Sequence, residues 1–440
     1  MKPLVAAVAV LVALATGAPV QAQPPDPLEF WLVLAGSGFV QAQNAPTGWH
    51  QIGGPNRNFH VESPPLAESW PEDGPRRLWS RPLGEGYSSV VTDGDVLVTM
   101  YRDGDTEVVV GLDPGTGATR WEHAYEAHLA HNGYVDIWLN ASGPGPYSTP
   151  LLTGGTVFAV GIDGRLHALD AATGALRWSQ DLVDLFDLTT YNAFASSPLA
   201  FGDTVILPLG GSGEGVVAFE RDTGAVVWHS DRFAVAPGSP VQIEVDGQTQ
   251  MVVVGQQELV GLDPEDGRML WRHPHTNELG LILSMPVWGP DGLLFVSSAY
   301  DGGSRVIRLS QIDGRTTADE VWATNRMRVH FSNAIRIGEL VIGSSGDFGP
   351  AFLVAMDVAT GEEVWRERRF ARAHMVYADG KLVIIDEDGD LAIASVGDQG
   401  LEVHAQAPIL TENAWTPPTL VGTTLYVRDR RNILAFDLGR

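Results

Sequence analysis

The sequence predicts an all-β chain folded as an eight-bladed β-propeller of four-stranded antiparallel blades, and three observations carry that prediction. An eleven-residue phrase returns along the chain: GLDPGTGATRW (111–121), ALDAATGALRW (168–178), AFERDTGAVVW (218–228), GLDPEDGRMLW (261–271), AMDVATGEEVW (355–365) and a worn ASVGDQGLEVH (394–404), with a looser form ending at Trp322. The closing positions lie 39 to 57 residues apart. A period near forty residues with several short strands per period marks a propeller. The last unit, AFDLGR (435–440), stops at its turn, whereas Arg76-Arg77-Leu78-Trp79-Ser80 is a Trp-bearing strand with no unit of its own. Pairing these two closes the ring and hides edges that promote aggregation.

Within each phrase, apolar residues end one strand and the Asp opens a turn by accepting from N–H groups just downstream. Gly117, Gly174, Gly224, Gly267, Gly361 and Gly400 supply the left-handed residue of a hairpin. The Trp then anchors the outer strand by packing blade on blade. Upstream of each phrase stand a small-residue stretch, a turn and an apolar strand, as at 87–89, 92–95 and 96–100. The other small-residue stretches lie at 147–150, 195–198, 238–240, 284–286, 330–332, 373–375 and 415–418, and five of them contain Pro. Pro cannot donate to a central ladder, so these stretches belong to innermost strands at the channel mouth. Residues 49–70, with Gly53-Gly54-Pro55-Asn56-Arg57-Asn58, read as a non-strand arm lying across the ring. The connections 122–146 and 179–194 exceed the others and should overhang the mouth.

The propeller is expected to occupy residues 44–440 as one domain. Lys2, the apolar run 4–15 and Val20-Gln21-Ala22 read as a signal peptide ending at 22. A second apolar run, 30–40, offers a later cleavage at 42 and is too short to span a bilayer. Export to the periplasm or secretion is therefore expected, with no membrane span. Gly 50, Pro 28 and 44% hydrophobic residues suit a turn-rich fold with an ample core. The chain has no Cys, which removes disulfides, thiolate metal sites, thiol nucleophiles, C-x-x-C-H haem attachment and a bacterial lipid anchor. A net charge of −26 argues against nucleic acid and anionic lipid as partners. A monomer is expected.

Three local patterns invite functional readings and favour plainer ones. His123, Glu126, His128 and His131 have metal-like spacing but sit in an irregular connection. The acidic run 386–390 lacks the calcium-loop register and coincides with a hairpin turn. Residues 210–215 are Gly-rich with no helix pattern following, so they are neither a phosphate loop nor a nucleophile elbow. The candidate site is instead the channel mouth: Tyr87, Tyr147, Ser196, His330, Asn333, His374 and Trp415, with Ser88, Ser148, Tyr191, Asn192 and Thr416 nearby. Aromatic faces, hydroxyls and two imidazoles converging on one axis suit a ligand pocket. A propeller also needs small polar residues at that radius whatever it does.

The phrase A-x-D-x-x-T-G-x-x-x-W resembles the repeat of pyrroloquinoline-quinone-type propellers, which include quinoprotein alcohol dehydrogenases and the outer-membrane β-barrel assembly lipoprotein. WHQIGGPNRN (49–58), GEGYSS (84–89), SSP (196–198), NELG (277–280), HFS (330–332) and WTPPTLVGTTLYVRD (415–429) resemble secreted bacterial quinoprotein-like repeat proteins. The resemblance implies the propeller fold and two functional readings. One is a non-catalytic scaffold holding a protein segment or small ligand at the funnel face. The other is a dehydrogenase of alcohols or sugars using pyrroloquinoline quinone with calcium, the quinone stacked near Trp415 and held by His330 and His374. The enzymes carry a vicinal Cys pair and the lipoprotein a lipid-bearing Cys; this chain has neither, nor a recognisable calcium set. The scaffold reading is the expectation, with no cofactor assigned.

Overall fold

The computed structural model describes residues 48–128, 143–188, 194–209, 214–347 and 349–440. The leader region, His131, Tyr191, Asn192 and most of 210–215 lie outside the described residues. Those described form eight four-stranded antiparallel sheets, each running from an inner to an outer strand, arranged as the ring the repeat predicts. Blades 1 to 7 span 91–126, 151–181, 199–229, 241–274, 287–324, 329–367 and 374–408. Blade 8 joins three strands within 419–437 to the N-terminal strand Arg76–Pro82. There Trp79 faces Ala435 and Pro82 faces Asn432, with a bulge between Arg77 and Trp79.

The recurring phrase does more than turn the chain. Gly117, Gly174, Gly224, Gly267 and Gly361 have φ between 70° and 75°, the left-handed conformation Gly adopts without strain. A Cβ on any of them would also stand 2.5–2.6 Å from the indole of the preceding blade's Trp. Trp79, Trp121, Trp178 and Trp322 each donate their Nε1–H to a carbonyl in that same turn, of Pro114, Ala171, Arg221 and Val358, at 2.8–2.9 Å. Each of these four Trp thus locks onto the next blade's Gly turn, whereas Trp228 packs on Gly267 without the hydrogen bond. Where blade 4 meets blade 5, whose phrase is degraded, the lock is replaced: Trp271 donates to Gln250 Oε1 within blade 4. In blade 7 the worn phrase makes a two-residue turn, and a Cβ on Gly400 would meet nothing within 4 Å.

Nearer the axis, small polar residues zip neighbouring inner strands. Ser89 N donates to Thr149 Oγ1 (3.1 Å), Thr149 N to Ser197 Oγ (2.9 Å) and Ser197 N to Ser239 Oγ (2.9 Å), linking blades 1 to 4. Buried Arg428 ties blade 8 to blade 1 by donating to the carbonyls of Met100 and Ser88. Burial without a carboxylate in hydrogen-bonding contact brings its pKa down to about 10.

The arm crosses one end of the channel and is held by main-chain pairing. Trp49 and Thr92 exchange both hydrogen bonds, Leu152 N donates to His50 O, Tyr377 N donates to Phe59 O, and Val61 N donates to Tyr377 O. Ala67 N donates to Leu438 O. These contacts reach blades 1, 2, 7 and 8 on the side of their inner hairpin turns. Arg57 projects from the arm, 3% exposed, and donates to Pro198 O (2.8 Å), Ser197 O (3.3 Å) and Gln51 Oε1 (3.3 Å). Burial lowers its pKa to about 9.

Candidate functional site

The opposite end is built from side chains. Tyr87, Tyr147 and Trp415 occupy equivalent positions just before the inner strands of blades 1, 2 and 8, so the repeat itself brings them side by side. Tyr87 stacks on Tyr147 (centroids 6.1 Å, planes 6° apart) and lies 5.5 Å from Trp415. Phe331, on the inner strand Val329–Ile337 of blade 6, reaches Trp415 at 5.0 Å. His330 and His374 flank Phe331 at 5.0 and 6.3 Å. The result is a run of rings from blades 2, 1, 8 and 6.

Both imidazoles are buried and held neutral. His374 Nε2 donates to Trp415 O at 3.1 Å, fixing its tautomer; complete burial lowers its pKa to about 4. His330 Nε2 bonds Tyr300 Oη at 2.5 Å, with the rings edge-on. Burial, helped by the Arg372 charge, brings it to about 4 as well. The charges here are pinned in pairs. Glu387 accepts from Arg372 Nη1 (2.5 Å) and Trp415 Nε1 (3.2 Å), and Arg430 meets Glu85 at 3.2 Å. Tyr87 Oη, Ser88 Oγ, Ser148 Oγ and Thr416 Oγ1 are buried without a hydrogen-bond partner among the described residues. Hydroxyls so placed are satisfied by water or by ligand atoms.

Two of the sequence candidates serve the ring. Ser196 donates to Gly238 O (3.0 Å) across blades 3 and 4. Asn333 exchanges hydrogen bonds with the backbone of Met375, joining blades 6 and 7. The other five, Tyr87, Tyr147, His330, His374 and Trp415, gather at the mouth. Phe331, Tyr300 and Glu387 complete the group; Phe331 lies inside a small-residue stretch and Glu387 inside the acidic turn 386–390, whereas Tyr300 comes from a turn that carries no mark in the sequence.

The described residues at the mouth do not fit pyrroloquinoline quinone with calcium. A tricarboxylate needs cations or charged donors, and here the imidazoles are neutral and the guanidiniums engaged. No group of three or more His, Asp or Glu among the described residues is placed to hold a metal ion.

A second polar cluster lies between blades 1 and 2. His123, on the outer strand Thr119–Glu126, faces His167 at 5.0 Å, and Tyr125 lies 4.3 Å from His167. Tyr125 Oη donates to Glu107 Oε2 at 2.9 Å. Burial pushes Glu107 up to about 7 and His167 down to about 4. Glu126 and His128 form an exposed pair at 3.6 Å; among the described residues His123, Glu126 and His128 do not form a metal-holding group, and His131 lies outside them.

A ring of repeat-built blades, closed by an N-terminal strand and bearing an aromatic mouth, defines a quinoprotein-type repeat propeller. The family model described as outer membrane protein assembly factor BamB matches residues 67–232 and 104–367, and the chain belongs to that family. BamB of Burkholderia pseudomallei is 28% identical over 278 residues, covering 54% of this chain and 69% of that protein. BamB of Yersinia pestis is 25% identical over 321 residues, covering 68% and 77%. Quinohemoprotein alcohol dehydrogenase ADH-IIG of Pseudomonas putida is 28% identical over 245 residues, only 31% of that enzyme. Among solved structures, BamB from Moraxella catarrhalis superposes with a TM-score of 0.56 at 19% identity, over 81% of this chain and 97% of that one. Quinohemoprotein alcohol dehydrogenase from Comamonas testosteroni gives 0.62 at 16%, over 91% and 82%. At these identities the superpositions show the fold alone.

Proposed function

We propose that the chain is an exported, non-catalytic binding propeller that holds a polypeptide segment of an envelope or secreted protein at the channel mouth. The observation that carries this reading is the run Tyr147–Tyr87–Trp415–Phe331. Trp415, Phe331 and Tyr147 are half-buried, and rigid aromatics in a desolvated setting are the anchors of protein interfaces. The flanking Arg–Glu pairs form a polar rim. The buried neutral imidazoles brace this surface and do not act as acids or bases at neutral pH. Relatives described as assembly factors support a scaffold role, and the apolar N-terminal run supports export. In the host cell, a photo-crosslinking residue at position 415 is expected to capture one defined polypeptide, and Phe331→Ala in that background to abolish the adduct. Alcohol oxidation by the purified protein with pyrroloquinoline quinone and calcium, with no adduct from position 415, would replace this reading with the dehydrogenase.

A further inference from the structure

At the arm end, a cavity of about 310 Å³ lies between the arm and blades 4, 5 and 6. Its walls are runs of consecutive residues: 56–59 of the arm, 241–244 of blade 4 and 285–288 entering blade 5. Side chains alternate faces along a strand, so a wall of four consecutive strand residues is a backbone edge. The blade 4 inner strand Val241–Val245 turns into Gln248–Val254 through Asp246 and Gly247, with φ of 48° and 83°. Positive φ at both positions is the mark of a two-residue type I′ hairpin. Val245 and Gln248 are then its hydrogen-bonded closing pair. By alternation, Gln242 and Glu244 turn their main-chain N–H and C=O away from the sheet, towards the channel. These groups have no backbone partner outside the sheet among the described residues.

The chain shows on itself how such an edge is used. At blade 7 the arm lies parallel to the inner strand His374–Ala378, with Phe59 O and Val61 N pairing to Tyr377. We propose that the inner edge of blade 4 is a docking groove where an extended segment of another protein adds as a strand, as the arm adds to blade 7. Main-chain pairing of this kind gives affinity, and side-chain contacts choose the sequence. Glu244 is exposed at the groove and the chain carries −26, so the segment brings Lys or Arg. Met285, Trp288 and Phe59 on the facing walls take its apolar residues. The groove is at the opposite end of the channel from the aromatic mouth and does not depend on it.

The test is calorimetric titration of the full chain with a capped hexapeptide alternating Lys and Val. Its controls are the same peptide N-methylated at alternate residues and a Glu–Val counterpart. Saturable binding of the Lys–Val peptide is expected, with none of the Glu–Val peptide. Two lost hydrogen bonds should weaken the N-methylated peptide about tenfold. Gln242→Pro removes one outward N–H without touching the ladder and should cost about threefold, while Gln242→Ala and Trp415→Ala leave affinity unchanged. Equal affinity for the N-methylated peptide, or no saturable binding of the Lys–Val peptide at millimolar concentration, would overturn the groove. Loss on Trp415→Ala would also overturn it, by moving the binding to the mouth. The N-methylated peptide keeps the test decisive should Gln242→Pro fail to fold.

Discussion

The same inner strands make both ends of the channel, and the two ends are finished by different chemistry. At the arm end the closing groups are chiefly main-chain amides, Trp49 on Thr92 and Phe59 and Val61 on Tyr377, with Arg57 on the carbonyls of Ser197 and Pro198 and the Asp379 carboxylate and Arg440 on the backbone of Leu66. At the mouth they are side chains, namely stacked rings, two neutral imidazoles and hydroxyls with open valences. Amide pairs do not titrate, and a guanidinium held near 9 stays largely charged at neutral pH. The arm's own attachment is therefore insensitive to protons near neutral pH, whereas the buried imidazoles at the mouth are not.

The contrast can be broken most severely at the seam beside the arm. Deleting residues 76–82 exposes the edge of Asn432–Asp437, and the expected outcome is aggregation in place of a monomer on size exclusion. A soluble monomer with unchanged melting would show that the ring does not need this strand. Next in size is Arg57→Met, which leaves two buried carbonyls without donors. A loss of about 3 kcal/mol in urea unfolding is expected, with binding at the mouth retained. An unchanged midpoint would mean that the backbone pairs alone hold the arm.

Acid should act on the other end. His330 and His374 have folded pKa values of about 4, below the usual 6.5, so between these values the unfolded chain binds more protons. Stability is intact above about pH 6.5 and falls towards pH 4, by about 1 kcal/mol per pH unit for each imidazole. His50 and His60 in the arm shift the same way but are less buried. Hydrogen exchange at pH 5 should therefore rise more around His374 and Trp415 than around Val61 and Ala67, and His374→Asn should flatten the profile. Equal protection at both ends would erase the distinction. The smallest effect is Ser196→Ala, which removes one inter-blade hydrogen bond and should cost about 1 kcal/mol without altering ligand binding at the mouth.

Legibility in the sequence divides along the same line. The recurring phrase located the outer hairpins of blades 1 to 7, and the stray Trp79 strand pointed to the seam, because side-chain pattern and turn chemistry reach the fold directly. Tyr87, Tyr147 and Trp415 were visible for the same reason. Gly117 and its equivalents were legible as turn residues but not as the floor under a neighbouring indole, which depends on blade spacing. The arm's pairing could not be read, since any residue but Pro offers the same N–H and C=O. His123 looked like part of a local metal pattern, while its true neighbour, His167, stands on another blade.

The seam in blade 8 also sets the order in which the molecule is completed. Residues 76–82 find their partners at 432–437, across about 350 residues of chain, a closure whose entropic cost is about 5 kcal/mol by loop statistics. Each blade from 1 to 7 is a run of local hairpins that forms without waiting for distant sequence. The eighth depends on both ends of the propeller at once. Ring closure is thus expected to come last, and until the final strand pairs the first is an open template for wrong pairing.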